Sequence, residues 1–385
     1  MTHPIPTGGG LENESATARP LRAGIVGTGG ISELHAQALA AYDGAELVGV
    51  ADLDAERARA FAERWSRASG PLVEPVADLD ALLALDLDVL HVCTPPAVHA
   101  QQALAAFAAG VHVVCEKPAA LSLDELQTMT DAAAAAGRQL AIVFQQRTGT
   151  ATAHVRGLLA AGSLGRPLVA TCQTLWYRPQ SYFDVPWRGT WASEGGGPTL
   201  GHGIHQIDLL AHLLGDWASV SGQLWRLGRE TETEDVSTAV LTFANGVVAS
   251  VITSALSPRE VSSVRIDTEL ATVSVDHLYG HGHENWRITP APGVEAPPEW
   301  ELPEVEEGSG HVPLVRKVYD ALRSGSPLPA VTAAPARSLE IVTALYSSAA
   351  TGRTVTPATL RDDPARLRSL ESPVTDLRPV ADLRP

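Results

Sequence analysis

Arg22-Ala23-Gly24-Ile25-Val26 runs straight into Gly27-Thr28-Gly29-Gly30-Ile31-Ser32, and this junction decides the fold. A short β-branched strand feeds a glycine-rich turn, and an alanine-rich stretch over 31–42 reads as the helix that follows. Glycine at 27 and 29 permits a tight turn and close backbone approach to a pyrophosphate. The helix aims its first N–H groups, around Gly30 and Ile31, at the same place. Ser32 holds the third fingerprint position and is small enough to pack against the strand. A glycine-rich turn by itself also serves as a bare connection, so the neighbouring sequence must decide.

Outward from this junction, strand-like runs at 45–51, 87–93, 112–115 and 139–144 alternate with helical runs at 54–67, 96–109 and 122–136. That order predicts a parallel, doubly wound Rossmann sheet with right-handed crossovers over residues 21–146. Asp52 ends the second strand, 25 residues after Gly27. A carboxylate there accepts from a ribose diol and repels a 2′-phosphate, which favours NAD over NADP. The plain alternative is a helix N-cap, a role for which Asp54 is better placed.

Past a helix at 151–161 the pattern changes. A strand at 167–176 leads into an aromatic, Pro- and Gly-rich loop at 177–199 and a helix over 200–214. Strand-like runs then follow at 219–227, 236–243, 247–254, 261–268 and 271–276. Asn245-Gly246 between two of them signals a two-residue hairpin. These features predict an α+β domain over 147–350 built on an open, mostly antiparallel sheet, with helices at 312–323 and 335–348. Residues 1–20 read as a flexible tail and 351–385 as a C-terminal tail.

The chain has 385 residues, with 44 acidic and 28 basic, for a formal charge of −16. That balance argues against nucleic acid and against an anionic membrane surface. No apolar run reaches the roughly 18 residues that a spanning helix needs. Cys93, Cys115 and Cys172 cannot all pair, and each lies in or beside an apolar run, which predicts a reducing, cytoplasmic setting. Only two of the 28 basic residues are lysines, Lys117 and Lys317. Lys317 falls in a helix beside Arg316 and reads as a surface charge.

Thr94-Pro95-Pro96 and Glu116-Lys117-Pro118 each follow a parallel strand, at the edge where open α/β sheets bind ligands. Lys117 has two readings: a donor to a substrate hydroxyl that becomes an alkoxide, or a solvated turn charge. A second cluster is Gly201-His202-Gly203-Ile204-His205-Gln206-Ile207-Asp208, with His212 beyond it. One helical face can gather His205, Asp208 and His212. A proton-accepting imidazole, a metal pair and a structural histidine all stand as readings, and no metal site is assigned. The loop supplies Tyr182, Trp187, Arg188 and Trp191, flat rings and a donor that suit a polyol. Gln146 and Arg147 follow the last Rossmann strand and are expected to face the cleft. His311 is expected to enter from beyond the second sheet.

Together these elements resemble the Gfo/Idh/MocA oxidoreductases (glucose–fructose oxidoreductase, inositol dehydrogenase and rhizopine-catabolism proteins). The resemblance covers nearly all of residues 21–350. It rests on Gly27–Ser32, Ala51-Asp52, Thr94-Pro95-Pro96 with His99, Glu116-Lys117-Pro118, and Gly195-Gly196-Gly197 leading to 203–208. Of these, the Glu-Lys-Pro tripeptide at that spacing is the most discriminating. The resemblance implies Lys117 as the lysine that orients the reacting hydroxyl and His205 as the acid/base. Gly27, Gly29, Gly30, Ile31, Asp52, Thr94, Pro95, His99, Glu116 and Lys117 are expected to bind the cofactor. Arg147, Tyr182, Trp187, Arg188, His202 and Asp208 are expected to bind the substrate. It also implies a sugar or cyclitol substrate, and a homodimer or homotetramer formed through the second sheet.

One position departs from the pattern. Many sugar and inositol dehydrogenases of this family carry Asp four residues before the histidine, where this chain has Gly201. The expected reaction is NAD-dependent hydride transfer at a secondary hydroxyl or ketone. Two rivals stand beside it: redox-assisted elimination on the same fold, and a non-catalytic dinucleotide sensor.

Overall fold

A computed structural model of the chain describes residues 19–378. Residues 1–18 of the expected N-terminal tail, and the last seven of the C-terminal one, lie outside the described residues. β1 (Leu21–Val26), β2 (Ala45–Ala51), β3 (Glu74–Val76), β4 (Val89–Val92), β5 (His112–Cys115) and β6 (Leu140–Ile142) form an all-parallel sheet in the order β3-β2-β1-β4-β5-β6. The order reverses between β1 and β4. The crevice outside the carboxyl ends of these strands is therefore where a dinucleotide belongs. β3 escaped the sequence reading because it is three residues long, holds Pro75 and pairs on one side only.

The second sheet contains β7 (Pro167–Tyr177), β8 (Trp217–Arg226), β9 (Val236–Phe243), β10 (Val248–Ser254), β11 (Leu256–Thr268), β12 (Ala271–Asp276), β13 (Trp286–Pro290) and β14 (Thr375–Asp376). Their order is β13-β12-β11-β7-β10-β9-β8-β14. Most neighbours are antiparallel, while β7 with β10 and β8 with β14 run parallel. Burial alternates along β7: Ala170, Cys172, Thr174 and Trp176 face inward. On the opposite face Val169, Tyr177, Val240 and Val248 are exposed. One face is thus covered and the other open, as the alternating sequence demands.

The β9–β10 turn differs from the expected two-residue hairpin. Phe243 N–H donates to Val247 O, which leaves three residues in the loop, and of these Gly246 alone has positive φ, +89°. A two-residue type I′ turn needs positive φ at both central residues. Asn245 stays right-handed, its side-chain amide donating to Leu214 O at 3.0 Å.

Two helices set up the site. Ile204–Leu214 is buried on every side, packed between β7, β11 and the helix Arg337–Thr351. Polar side chains on it are cut off from solvent, so one left without a partner inside the protein calls for a functional explanation. The helix His311–Ser324, expected within the second domain, turns back to the first. Its Leu314, Val315, Val318 and Tyr319 share a core with Ala23, Ile25, Ala36 and Leu39. The helical stripe gives that packing a face, but sequence order gives no hint of which sheet it covers. Among the described residues no helix is long and apolar enough to cross a membrane.

Candidate active site

Gly27 has φ +87°, and a Cβ there would lie 2.8 Å from the carbonyl of Cys93. Only glycine fits both that conformation and that approach. Gly29 and Gly30 differ: a Cβ on either meets nothing within 4 Å, so the turn faces open space. Among the described residues no side chain caps the helix Gly30–Ala40, which leaves the N–H groups of Gly30 and Ile31 at the edge of that space. This cradle fits a dinucleotide pyrophosphate. Ser32 is fully buried, and its hydroxyl donates to Gly29 O.

Asp52 braces the cradle. Its Oδ2 accepts from Thr28 N (2.7 Å) and Thr28 Oγ1 (2.9 Å), and its Oδ1 accepts from Asp54 N (2.9 Å). The N-cap of the next helix is Asp54, which accepts from the backbone of Glu56 and Arg57. Asp52 is therefore free of the capping role. Arg57 Nη1 stands 3.9 Å from Asp52 Oδ2. Changing Asp52 to Ser removes the charge that would repel a 2′-phosphate and leaves Arg57 to attract one. The ratio of NADP to NAD affinity should rise at least about tenfold, or about 1.4 kcal/mol. Titration of both cofactors checks it, and an unchanged ratio would remove Asp52 from cofactor selection.

The turns after β4 and β5 are tied together. His99 is buried, with Nε2 2.7 Å from Thr94 O and Nδ1 3.0 Å from Pro118 O. Both ring nitrogens face backbone carbonyls, of which a neutral imidazole's single N–H can serve one, so His99 sits as a strut between Thr94 and the Lys117 turn, where it was expected as a cofactor ligand. Glu116 is likewise engaged from behind. Its Oε1 lies 3.0 Å from His35 Nε2 and 3.0 Å from His311 Nε2, and its Oε2 accepts from Lys117 N at 3.1 Å. His35 continues to His91 (2.7 Å between Nδ1 atoms), and His91 Nε2 to Tyr319 OH (2.8 Å). Burial alone would raise the Glu116 carboxyl, but the hydrogen bonds from His311 and His35 outweigh it and hold it well below the usual range. His311 arrives on the returning helix.

Lys117 is half-buried and its Nζ donates to Gly201 O at 3.0 Å. Burial lowers its pKa, with Glu116 and then Glu194 opposing. His205 is 2% exposed, and among the described residues its Nδ1 has no hydrogen-bond partner. Burial, then the charge of Lys117, pushes it well below the ordinary imidazole range, so it is neutral near pH 7. His202 lies beside it, with Nε2 3.3 Å from Tyr182 OH and its ring 4.6 Å from that of Trp176. Arg188 covers Tyr182 (3.9 Å to the ring centre) and Trp187 (4.2 Å), and its Nη1 lies 3.5 Å from Glu194 Oε1. Tyr279 closes the cluster, 6.1 Å from the His205 ring.

The structure thus gathers Lys117, His202, Tyr182, Trp187 and Arg188, with His205 next to Lys117 and Tyr279. It does not bring Arg147 and Asp208 there. Arg147 Nε donates to Asp208 Oδ2 (2.7 Å) and Nη2 to Oδ1 (2.5 Å). Ser338 Oγ also donates to Asp208, and Arg147 Nη1 donates to Ala333 O at 2.6 Å. At 3% and 1% exposure, both lie away from substrate, held by each other. Asp208 is thereby lost to the metal reading of the His205 face. Trp191 packs on Tyr346. Sequence reasoning missed Glu194, Trp176, Tyr279, His35 and His91. One signal was available for His35: it falls on the buried stripe Ser32, His35, Ala36, Leu39, where an imidazole needs a partner.

Residues 21–144 match the oxidoreductase family with an NAD-binding Rossmann fold, and residues 152–274 match the GFO/IDH/MocA C-terminal domain. Over 203 residues the chain is 35% identical to a D-glucoside 3-dehydrogenase of Escherichia coli, an alignment covering 52% of this chain and 55% of that protein. It is 27% identical over 380 residues to a D-apiose dehydrogenase of Paraburkholderia graminis, covering 93% and 95% of the two. Among solved structures, the WlbA dehydrogenase from Bordetella pertussis in complex with NADH and UDP-GlcNAcA is 31% identical. Its TM-score is 0.76, with 88% of this chain and 99% of that chain covered. The two family matches fall one on each sheet domain, the first taking in the glycine cradle and Lys117 and the second His205, so the chain belongs to the Gfo/Idh/MocA family of NAD-binding oxidoreductases.

Proposed function

We propose that the protein is an NAD-dependent dehydrogenase or reductase that acts on a secondary hydroxyl or ketone of a sugar or cyclitol. One observation carries this: Lys117, at the carboxyl end of β5, reaches Gly201 O beside the buried helix that carries His205, and its charge acts on that imidazole. Bound NAD supplies the hydride acceptor. His205 takes the hydroxyl proton, a role for which a neutral imidazole is suited. Lys117 donates to the same oxygen as negative charge builds on it. Tyr182, Trp187 and Arg188 offer ring faces to C–H surfaces and donors to hydroxyls. The D-glucoside and D-apiose dehydrogenases named above support this substrate class.

A screen of sugars and cyclitols for NADH formation tests the reading. Turnover on any of them also disposes of the sensor alternative. Product release without net NADH would move the assignment to redox-assisted elimination, which the unpartnered Nδ1 of His205 keeps in view. We also propose that the open face of the second sheet, with Val169, Tyr177, Val240 and Val248 exposed, seats a second copy of the chain. Sedimentation of a Val169→Lys, Val248→Lys variant as monomer, against a wild-type oligomer, is the expected result. The three buried free thiols fit a reducing cytoplasm.

A further inference from the structure

Glu194 belongs to no role assigned so far, yet it is 7% exposed and built into the site. Its Oε2 accepts from Gly189 N at 2.7 Å, and its Oε1 lies 3.5 Å from Arg188 Nη1. The same Oε1 is 3.6 Å from where a Cβ on Gly201 would stand. The carbonyl of Gly201 in turn receives Lys117 Nζ at 3.0 Å. A carboxylate and an ammonium therefore approach the same glycine, one on its Cβ side and one at its carbonyl, without pairing directly with each other among the described residues. Gly201 is not in the left-handed region, so the backbone does not require glycine there. What glycine provides is the open corridor.

We propose that Glu194 is the positioning carboxylate of this corner, acting through Lys117 to keep its ammonium charged and turned toward the reacting oxygen. Glu116, the nearer acid in sequence, has both oxygens engaged by His35, His311 and the backbone of Lys117. Glu194 has one backbone donor and a longer contact to Arg188, which leaves it capacity for a second cation. The groups facing Lys117 are Glu116 on its own turn, Glu194 and Arg188 on the loop, His202 and His205 at the buried helix, and His99 on the helix after β4. The coupling is mutual: Glu194 opposes the effect of burial on Lys117, and Lys117 opposes the effect of burial on Glu194. The catalytic role rests on the dehydrogenase reading above, whereas the charge coupling does not.

The scarcity of lysine makes the coupling measurable. The full chain labelled with ¹³C-lysine gives side-chain signals from Lys117 and Lys317 alone, assigned by Lys317→Arg. In Glu194→Gln the Lys117 midpoint should fall by about one pH unit, while that of Lys317 stays in place. In Glu194→Ala with Gly201→Asp, a carboxylate from the other side of the corridor should bring the Lys117 midpoint back toward wild type. Should Gln at 194 prevent folding, Glu194→Asp, one methylene shorter, should lower the midpoint in the same direction. An unmoved Lys117 midpoint in a folded variant, or no recovery in the double variant, overturns the proposal. With a working substrate, Glu194→Gln should lower kcat about tenfold with little change in KM and shift the alkaline limb of the pH profile to lower pH. A moved midpoint in a protein without turnover on any sugar or cyclitol would instead refute the dehydrogenase reading and leave the coupling standing.

Discussion

Lys117→Met and His205→Ala should each lower kcat by about 10²–10⁴, the usual contribution of a positioned acid or base. Methionine keeps most of the lysine stem and removes the ammonium, so the fold around Gly201 is retained while the developing alkoxide loses its donor. The His205 effect has a pH signature. Its imidazole is active as a base when neutral, and burial holds its pKa well below the ordinary value near 6.5. Oxidation should therefore run undiminished through neutrality and fail only as pH falls through that lowered pKa. At the other limb, activity should fail as pH rises through the Lys117 pKa, which burial places below the ordinary lysine value of about 10.4. Steady-state rates across pH, with melting curves to confirm folding, check both. Either variant within about tenfold of wild type would remove that residue from the mechanism.

The parts of this site that were legible in sequence are the ones whose chemistry is local. Gly27 is required by its positive φ, a property of the turn itself, so the motif and its context sufficed, although the Cys93 carbonyl that also crowds it lies at the end of β4, 66 positions on. Lys117 announced itself by position at a strand end and by rarity. The Rossmann strands followed from alternation with helices, apart from β3, whose three residues carry no period. What stayed hidden depends on pairings far apart in the chain. His311 meets Glu116 across 195 positions and His91 meets Tyr319 across 228, through a helix that returns to the first sheet. Glu194 was hidden differently. It sits in a loop that aromatic residues dominate, and its significance appears only when the empty side of Gly201 is seen to face it. His99 and Glu116 were assigned to the cofactor because their motif lies at its edge, while the structure uses their polar atoms to brace that edge from behind.

Asp208→Ala should be the most destabilising of the changes considered, by about 3–5 kcal/mol, because it leaves Arg147 charged, buried and without its partner. The guanidinium lies over the Phe144 ring at 4.8 Å, and among the described residues its only other acceptors are the carbonyls of Ala333 and Val331. No water-facing route is open to a side chain 3% exposed. Arg147→Met should cost comparably by stranding the carboxylate, although Ser338 still donates to it. Replacing both, as Arg147→Met with Asp208→Leu, should cost well under the sum of the two, since no buried charge then remains. Urea unfolding of the four proteins measures this cycle. It also separates two accounts of the same residues. Were Arg147 and Asp208 substrate ligands, as their sequence positions suggest, each change would raise KM and leave the unfolding midpoint nearly in place. The structure requires the opposite: a large fall in the midpoint, with KM nearly unchanged in whatever fraction stays folded. The reason is placement. Asp208 lies one helical turn after His205, so the same buried helix that carries the imidazole is held by Arg147 to the turn that follows β6.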